Sequence, residues 1–145
     1  MMPLMAQDAA LIQQERKEKI KQLESAMLQM PQVEIPVIHT YGPGFYARTI
    51  HIKAGSTITG KVHATEHLFA ISNGEMMLFT EDGERHVTAP FQCVASLGLK
   101  RVGYAVTDVV CTNFHLTDET DLEILELQLI IHEGLPASDK TEELQ

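Results

Sequence analysis

Two textures divide the chain. From Gln7 to Met30 there is no internal Gly or Pro, and the apolar residues Ile12, Ile20, Leu23, Met27 and Met30 form one ragged stripe. Glu15, Arg16, Lys17, Glu18, Lys19 and Lys21 supply mixed charge on the remaining faces, and Pro31 closes the run. Good helix formers in that arrangement predict a helix over 7–30. A stripe so ragged favours a solvated helix lying on the rest of the fold; the sharper alternative is an arm that docks on a neighbouring subunit or a larger assembly. After Pro31 the chain turns to short β-branched and aromatic segments divided by turn residues, which is all-β spacing. Strands are predicted at Tyr46 to Lys53, Leu68 to Ser72, Glu75 to Thr80, Glu84 to Thr88, Phe91 to Ala95 and Val106 to Leu116. Asn73-Gly74 and Asp82-Gly83 have the chemistry of two-residue hairpin loops, where positive φ is needed. Between Thr117 and Ile131 a helix capped by Thr117 or Asp118 competes with a strand at Leu127 to Ile131; a helix ending before Gly134-Leu135-Pro136 is favoured. Ala137 to Gln145 is polar and acidic and reads as a loose tail. The expected layout is a helical arm over 1–32, a β domain over 33–118 and a C-terminal helix with acidic tail over 119–145.

Composition narrows the function classes. At 145 residues and 44% hydrophobic, the chain can build one core. Twenty acidic against eleven basic residues give a formal net charge of -9, which argues against a nucleic-acid coat while allowing a local basic pocket. Met1 to Met5 is too short for a signal-peptide core and no run approaches a membrane span, so a soluble, cytoplasmic protein is expected. Cys93 and Cys111 lie in apolar, strand-like stretches without Cys-x-x-Cys spacing and read as reduced packing residues.

The informative stretch runs from Gly55 to Glu75. Its frame is Gly55, five residues, Lys61-x-His63, three residues, His67, six residues, Gly74. This resembles the first motif of the cupin family, Gly-x5-His-x-His-x3,4-Glu-x6-Gly, without a gap. Two ligand positions differ: Lys61 stands where the family has its first His, and His67 stands in place of Glu. The second motif, Pro-x-Gly-x-x-His, is best matched by Ser96-Leu97-Gly98-Leu99-Lys100-Arg101, with Arg101 in place of the third His. The resemblance covers roughly 33–116 and implies an all-β, cupin-type antiparallel β-barrel (jelly-roll) with an N-terminal helix and a short C-terminal helical segment. In overall texture the chain is also similar to small cupin-like proteins of tailed bacteriophages.

That frame aims Lys61, His63, His67 and Arg101 at the barrel's mouth. Two imidazoles beside two cations suit a small anion, because Arg offers a planar fork and Lys a point charge. A divalent metal is the competing reading, held by His63 and His67 with Glu66, His115 or His51 as a third ligand. A third reading pairs Glu66 with Lys61 or Arg101 and leaves the histidines as an inert rim. His39, His86 and His132 read as surface or rim residues, and Met27, Met30, Met76 and Met77 as gap-filling core. The leading expectation is a non-catalytic cupin module, a homo-oligomer and phage structural or accessory protein in the host cytoplasm or the virion, with capsid or other virion proteins as partners. It expects no cofactor and no nucleic-acid or membrane partner. The alternative is a metal-dependent cupin enzyme of isomerase or dioxygenase type, with one divalent ion. A regulator that holds a sugar or nucleotide phosphate on the cationic pair is the third possibility.

Overall fold

A computed structural model describes residues 2–130. Helix α1 (Met2–Leu28) begins before Gln7, because Pro3 falls in the first turn, where its missing N–H has no role. Nine strands follow: β1 (Val37–Gly42), β2 (Phe45–Ile52), β3 (Thr57–Thr59), β4 (His67–Asn73), β5 (Glu75–Thr80), β6 (Gly83–Thr88), β7 (Phe91–Ala95), β8 (Val102–Ala105) and β9 (Val109–Leu116). They are all antiparallel and form a five-stranded sheet, β1-β2-β9-β4-β7, and a four-stranded sheet, β3-β8-β5-β6. The inner faces share one core that joins Ile50, Ile52, Phe69, Ile71, Val109 and Cys111 of the larger sheet to Met76, Leu78, Val87 and Ala105 of the smaller. The jelly-roll expectation is met as two facing sheets, with an N-terminal and a short C-terminal helix. No helix among the described residues is long and apolar enough to cross a membrane.

Departures from the predicted elements have local causes. Val106 to Leu116 is not one strand: a turn at 106–108 separates β8 from β9. The Thr107 hydroxyl accepts from the Glu75 amide and Asp108 Oδ1 accepts from the Ala54 amide, so both residues serve neighbouring loops instead of a ladder. Asn73-Gly74 is a corner and not a hairpin, since β4 pairs within one sheet and β5 within the other. Gly74 adopts φ 96° there, and a Cβ on it would overlap the Asp108 carbonyl. The Asp82-Gly83 hairpin forms as predicted, joining β5 to β6. Helix α2 (Leu122–Leu129) is capped by Asp121, whose Oδ1 accepts from the Glu123 and Ile124 amides, and not by Thr117 or Asp118. Thr117 accepts from the Glu119 amide and Asp118 from the Gly44 amide, so both are spent on the loop. Ile130 is already extended. The turn at Gly134, the acidic tail and His132 lie outside the described residues.

Helix α1 rests on the β5–β6 hairpin end. Gln13 donates to Asp82 and Arg16 to the Glu81 carbonyl there, Lys100 of the β7–β8 loop pairs with Glu24 at 2.5 Å, and Ile20 is a buried residue of the helix. Met76 is buried as a core methionine, whereas Met30 is 61% exposed. Both cysteines are free.

Gly74→Ala is expected to lower stability by more than about 2 kcal/mol, through positive φ plus overlap with backbone. Gly44→Ala, at φ 81° with nothing near its missing Cβ, should cost only about 1 kcal/mol. Urea denaturation of the two variants side by side checks the ranking.

Candidate functional site

Alternation in two paired strands builds the site. On β2 the inward positions are Tyr46, Arg48, Ile50 and Ile52; on β9 they are His115, Asn113, Cys111 and Val109. The register pairs them row by row: Tyr46 with His115, Arg48 with Asn113, Ile50 with Cys111, Ile52 with Val109. The interior therefore grades from wholly apolar at one end to polar at the other within two rows. β4 extends the rows, with Phe69 beside Asn113 and His67 at its polar end. Alternation also settles the two candidate third histidines, since His115 is buried and His51 faces outward, exposed.

The polar end surrounds a cavity of about 70 Å³. Arg48, Lys61, Arg101, His63, His115 and Asn113 contribute to its polar lining, and among the described residues no Asp or Glu lines it. His63 enters from the loop before β4, where it bridges Ile130 beyond α2. Ring centroids lie 4.3 Å apart for His63 and His67, 4.5 Å for His67 and His115, and 5.3 Å for His63 and His115. One ligand nitrogen from each ring lies within 4.8 Å of the others. Tyr46 stacks on His115 and Tyr41 stacks on Tyr46, so the rings continue across the sheet. His39 Nδ1 and the Tyr46 hydroxyl are 2.7 Å apart.

Burial keeps the imidazoles neutral. It is the largest cause that lowers His63 to about 2, with His67, His115, Arg101 and Arg48 adding repulsion. It also lowers His115 to about 4, followed by His67 and Arg48. His67 is lowered by burial too, against hydrogen bonds to Thr65 and Asn113 that favour its charged form. Its Nε2 lies 2.9 Å from Asn113 Oδ1 and its Nδ1 3.3 Å from the Thr65 carbonyl. A neutral ring has one proton for these two contacts, so turning the Asn113 amide end for end satisfies both. His115 Nδ1 is buried without a hydrogen-bond partner among the described residues.

Arg48 is the residue that sequence reasoning missed. It is 7% exposed, and its Nε and Nη2 have no hydrogen-bond partner among the described residues. Burial lowers its pKa to about 10, partly offset by Tyr46 and Cys111, so it stays charged at neutral pH. Arg101 stacks its guanidinium 4.7 Å over the Phe69 ring, and burial lowers it as well. Of the predicted anion residues, Lys61, His63 and Arg101 line the cavity and His67 adjoins it through its ring contacts. Glu66 is exposed, lies outside the histidine cluster and pairs with neither Lys61 nor Arg101. His86 pairs with Glu75 on the surface. The available signal for Arg48 and Asn113 was phase: each shares the parity of the apolar residues on its own strand.

No protein-family model matches this chain, and no curated protein matches its sequence. Solved structures do match. Ectoine synthase from P. lautus aligns at TM-score 0.55 and 14% identity, over 75% of this chain and 87% of that one. Salicylate 1,2-dioxygenase from Pseudaminobacter salicylatoxidans aligns at TM-score 0.54 and 13% identity, over 75% of this chain and 34% of the dioxygenase. A cupin superfamily protein from Desulfitobacterium hafniense DCB-2 aligns at TM-score 0.51 and 9% identity, over 61% and 83%. The chain has the cupin fold, and at such identities the likeness carries the fold alone.

The buried histidines make stability pH-dependent. A histidine near 4 when folded and 6.5 when unfolded takes up its proton in the unfolded state first. Stability contributed by His115 is therefore complete above pH 6.5 and is lost as pH falls toward 4, by on the order of 3 kcal/mol. Urea midpoints in chelator from pH 7.5 to 4 should fall with pH, and His115→Gln should flatten part of that slope.

Proposed function

We propose that this chain is a small-molecule-binding module whose pocket takes a small organic or inorganic anion. One observation carries the reading: Arg48 is a buried guanidinium whose Nε and Nη2 have no hydrogen-bond partner among the described residues, in a cavity lined also by Lys61 and Arg101 and, among the described residues, by no carboxylate. An uncompensated buried charge costs several kcal/mol, and a carboxylate or phosphate oxygen offsets that cost through charge-assisted hydrogen bonds. Neutral histidines and Asn113 add donors at the same end. Low dielectric inside the fold focuses the positive field despite the chain's net charge of -9. A binding role without catalysis, as in a structural or accessory protein, fits this set. Co-purification with phage capsids would support the virion version of that role, and a chain that ignores such particles counts against it.

His63, His67 and His115 favour a second reading, a divalent-metal centre. Three neutral imidazoles within reach of one point, one with a nitrogen that has no hydrogen-bond partner among the described residues, are a fitting donor set for iron, zinc, nickel or manganese. Such an ion would supply Lewis-acid or redox chemistry at the cavity. Arg48 and Arg101 oppose a bare cation there, so an anion should enter with it.

Thermal melts with millimolar phosphate, acetate or oxalate test the first reading. At least one anion should raise Tm, by a ligand-linked gain of about 2.7 kcal/mol at a hundredfold excess over Kd. Arg48→Met should abolish that shift while leaving the ligand-free protein as stable as wild type or more so, since it removes a buried charge that no described carboxylate compensates. No shift with any anion, together with a strongly destabilised Arg48→Met, would overturn it. Elemental analysis of protein purified without tag or chelator tests the second: near-stoichiometric metal in wild type, absent from the His63→Ala, His67→Ala double variant.

A further inference from the structure

The hydrogen bond between Tyr46 and His39 joins the cavity to the edge of the larger sheet. Tyr46 lines the cavity, is 1% exposed, and holds its hydroxyl 2.7 Å from His39 Nδ1. His39 is half-buried on β1, the edge strand of that sheet among the described residues. The register pairs Tyr41 with Tyr46 and His39 with Arg48, so all four side chains share the inner face. A phenol and an imidazole in contact have one hydrogen bond to make, and either can donate. Burial pushes the Tyr46 hydroxyl up to about 12 against the pull of Arg48, so its O–H is always there to give. While Nδ1 of His39 is bare, that O–H is spent on His39. Once Nδ1 carries a proton, the His39 N–H donates to the phenol oxygen and the Tyr46 O–H is released.

We propose that Tyr46 is a ligand-contacting residue of the pocket and His39 its positioning residue: a protonated His39 donates to the Tyr46 oxygen, which turns the Tyr46 O–H onto an oxygen of an anion held by Arg48. This deepens the anion reading and rests on it. Tyr46 and Arg48 are successive inward positions of β2, line the same cavity and act on each other electrostatically. Arg48 and Tyr46 face His39 from β2, and Tyr41 flanks it on β1. Helix α2 packs on Tyr46 through Leu125 and Leu129; its acids are Glu123, exposed, and Glu126, buried, and its cap Asp121 acts on Tyr41. His115 stacks on the far side of the Tyr46 ring. After burial, the Arg48 charge is what disfavours protonated His39. An anion seated on Arg48 cancels that repulsion, so anion and proton favour each other's binding equally. His39 thus has its lower pKa in the empty protein and its higher one in the complex. Affinity rises as pH falls through the complex's value and levels off below the empty protein's, by at most about tenfold per pH unit for one proton. The proton comes from solvent and stays on His39; none passes to the ligand.

The probe is whichever of phosphate, acetate and oxalate raises Tm. Nuclear magnetic resonance of the His39 ring in the full chain, assigned by its loss in His39→Asn, should show a titration midpoint that moves up when the anion saturates the pocket. Tyr46→Phe, checked for folding by circular dichroism, should bind the anion roughly tenfold more weakly at pH 6. His39→Asn sets an N–H donor near the place of Nδ1 without needing a proton, so at pH 8 it should bind more tightly than wild type. An unmoved midpoint overturns the inference. So does a Tyr46→Phe protein with wild-type affinity, or a His39→Asn protein that binds less tightly than wild type at pH 8; in each case the anion reading stands. A wild type whose Tm no anion raises overturns both together.

Discussion

The antiparallel register between β2 and β9 is the constraint on which the site depends. It sets Tyr46 against His115 and Arg48 against Asn113, and with them the depth at which the interior changes from apolar to polar. A slip of one residue would turn every one of those side chains outward and carry His51 and Phe114 in. Four apolar residues on the same two strands, Ile50, Ile52, Cys111 and Val109, hold the register because their burial is lost in any other. The core at one end thus specifies the chemistry at the other.

That arrangement explains how three histidines and two arginines share one small space. Imidazole gives up its proton for modest cost, so burial leaves His63, His67 and His115 neutral and free of mutual charge repulsion. Guanidinium does not, and even buried Arg48 keeps its charge. The site is therefore a set of neutral donors facing permanent cations, complementary to electron-rich groups of either a metal-bound or a free ligand.

Much of this was legible in the chain, and the illegible parts share a cause. The Gly55 to Gly74 frame located the loop that carries Lys61, His63 and His67, because spacing along a backbone is a local property. Arg48 was not found: Arg is expected on surfaces, and its inward phase emerges only when Ile50 and Ile52 are taken as the buried parity. The choice between His51 and His115 likewise needed the phase of each strand. At Asn73-Gly74 the sequence revealed the positive φ but not that the residues joined lie in different sheets. The break at Thr107-Asp108 exists because Glu75 and Ala54, remote along the chain, recruit those side chains.

The three histidines are not anchored alike. His67 and His115 belong to strands of one sheet and move only if that sheet deforms. His63 is suspended between two other supports: its carbonyl accepts from the Gly98 amide at 2.9 Å, and the next amide, Ala64, donates to the Leu129 carbonyl at 2.7 Å at the end of α2. A shift of α2 would be transmitted through that stitch to one corner of the triangle while the opposite edge stays still. The seat of α2 thus fixes one corner of the triangle, and the sheet fixes the other two.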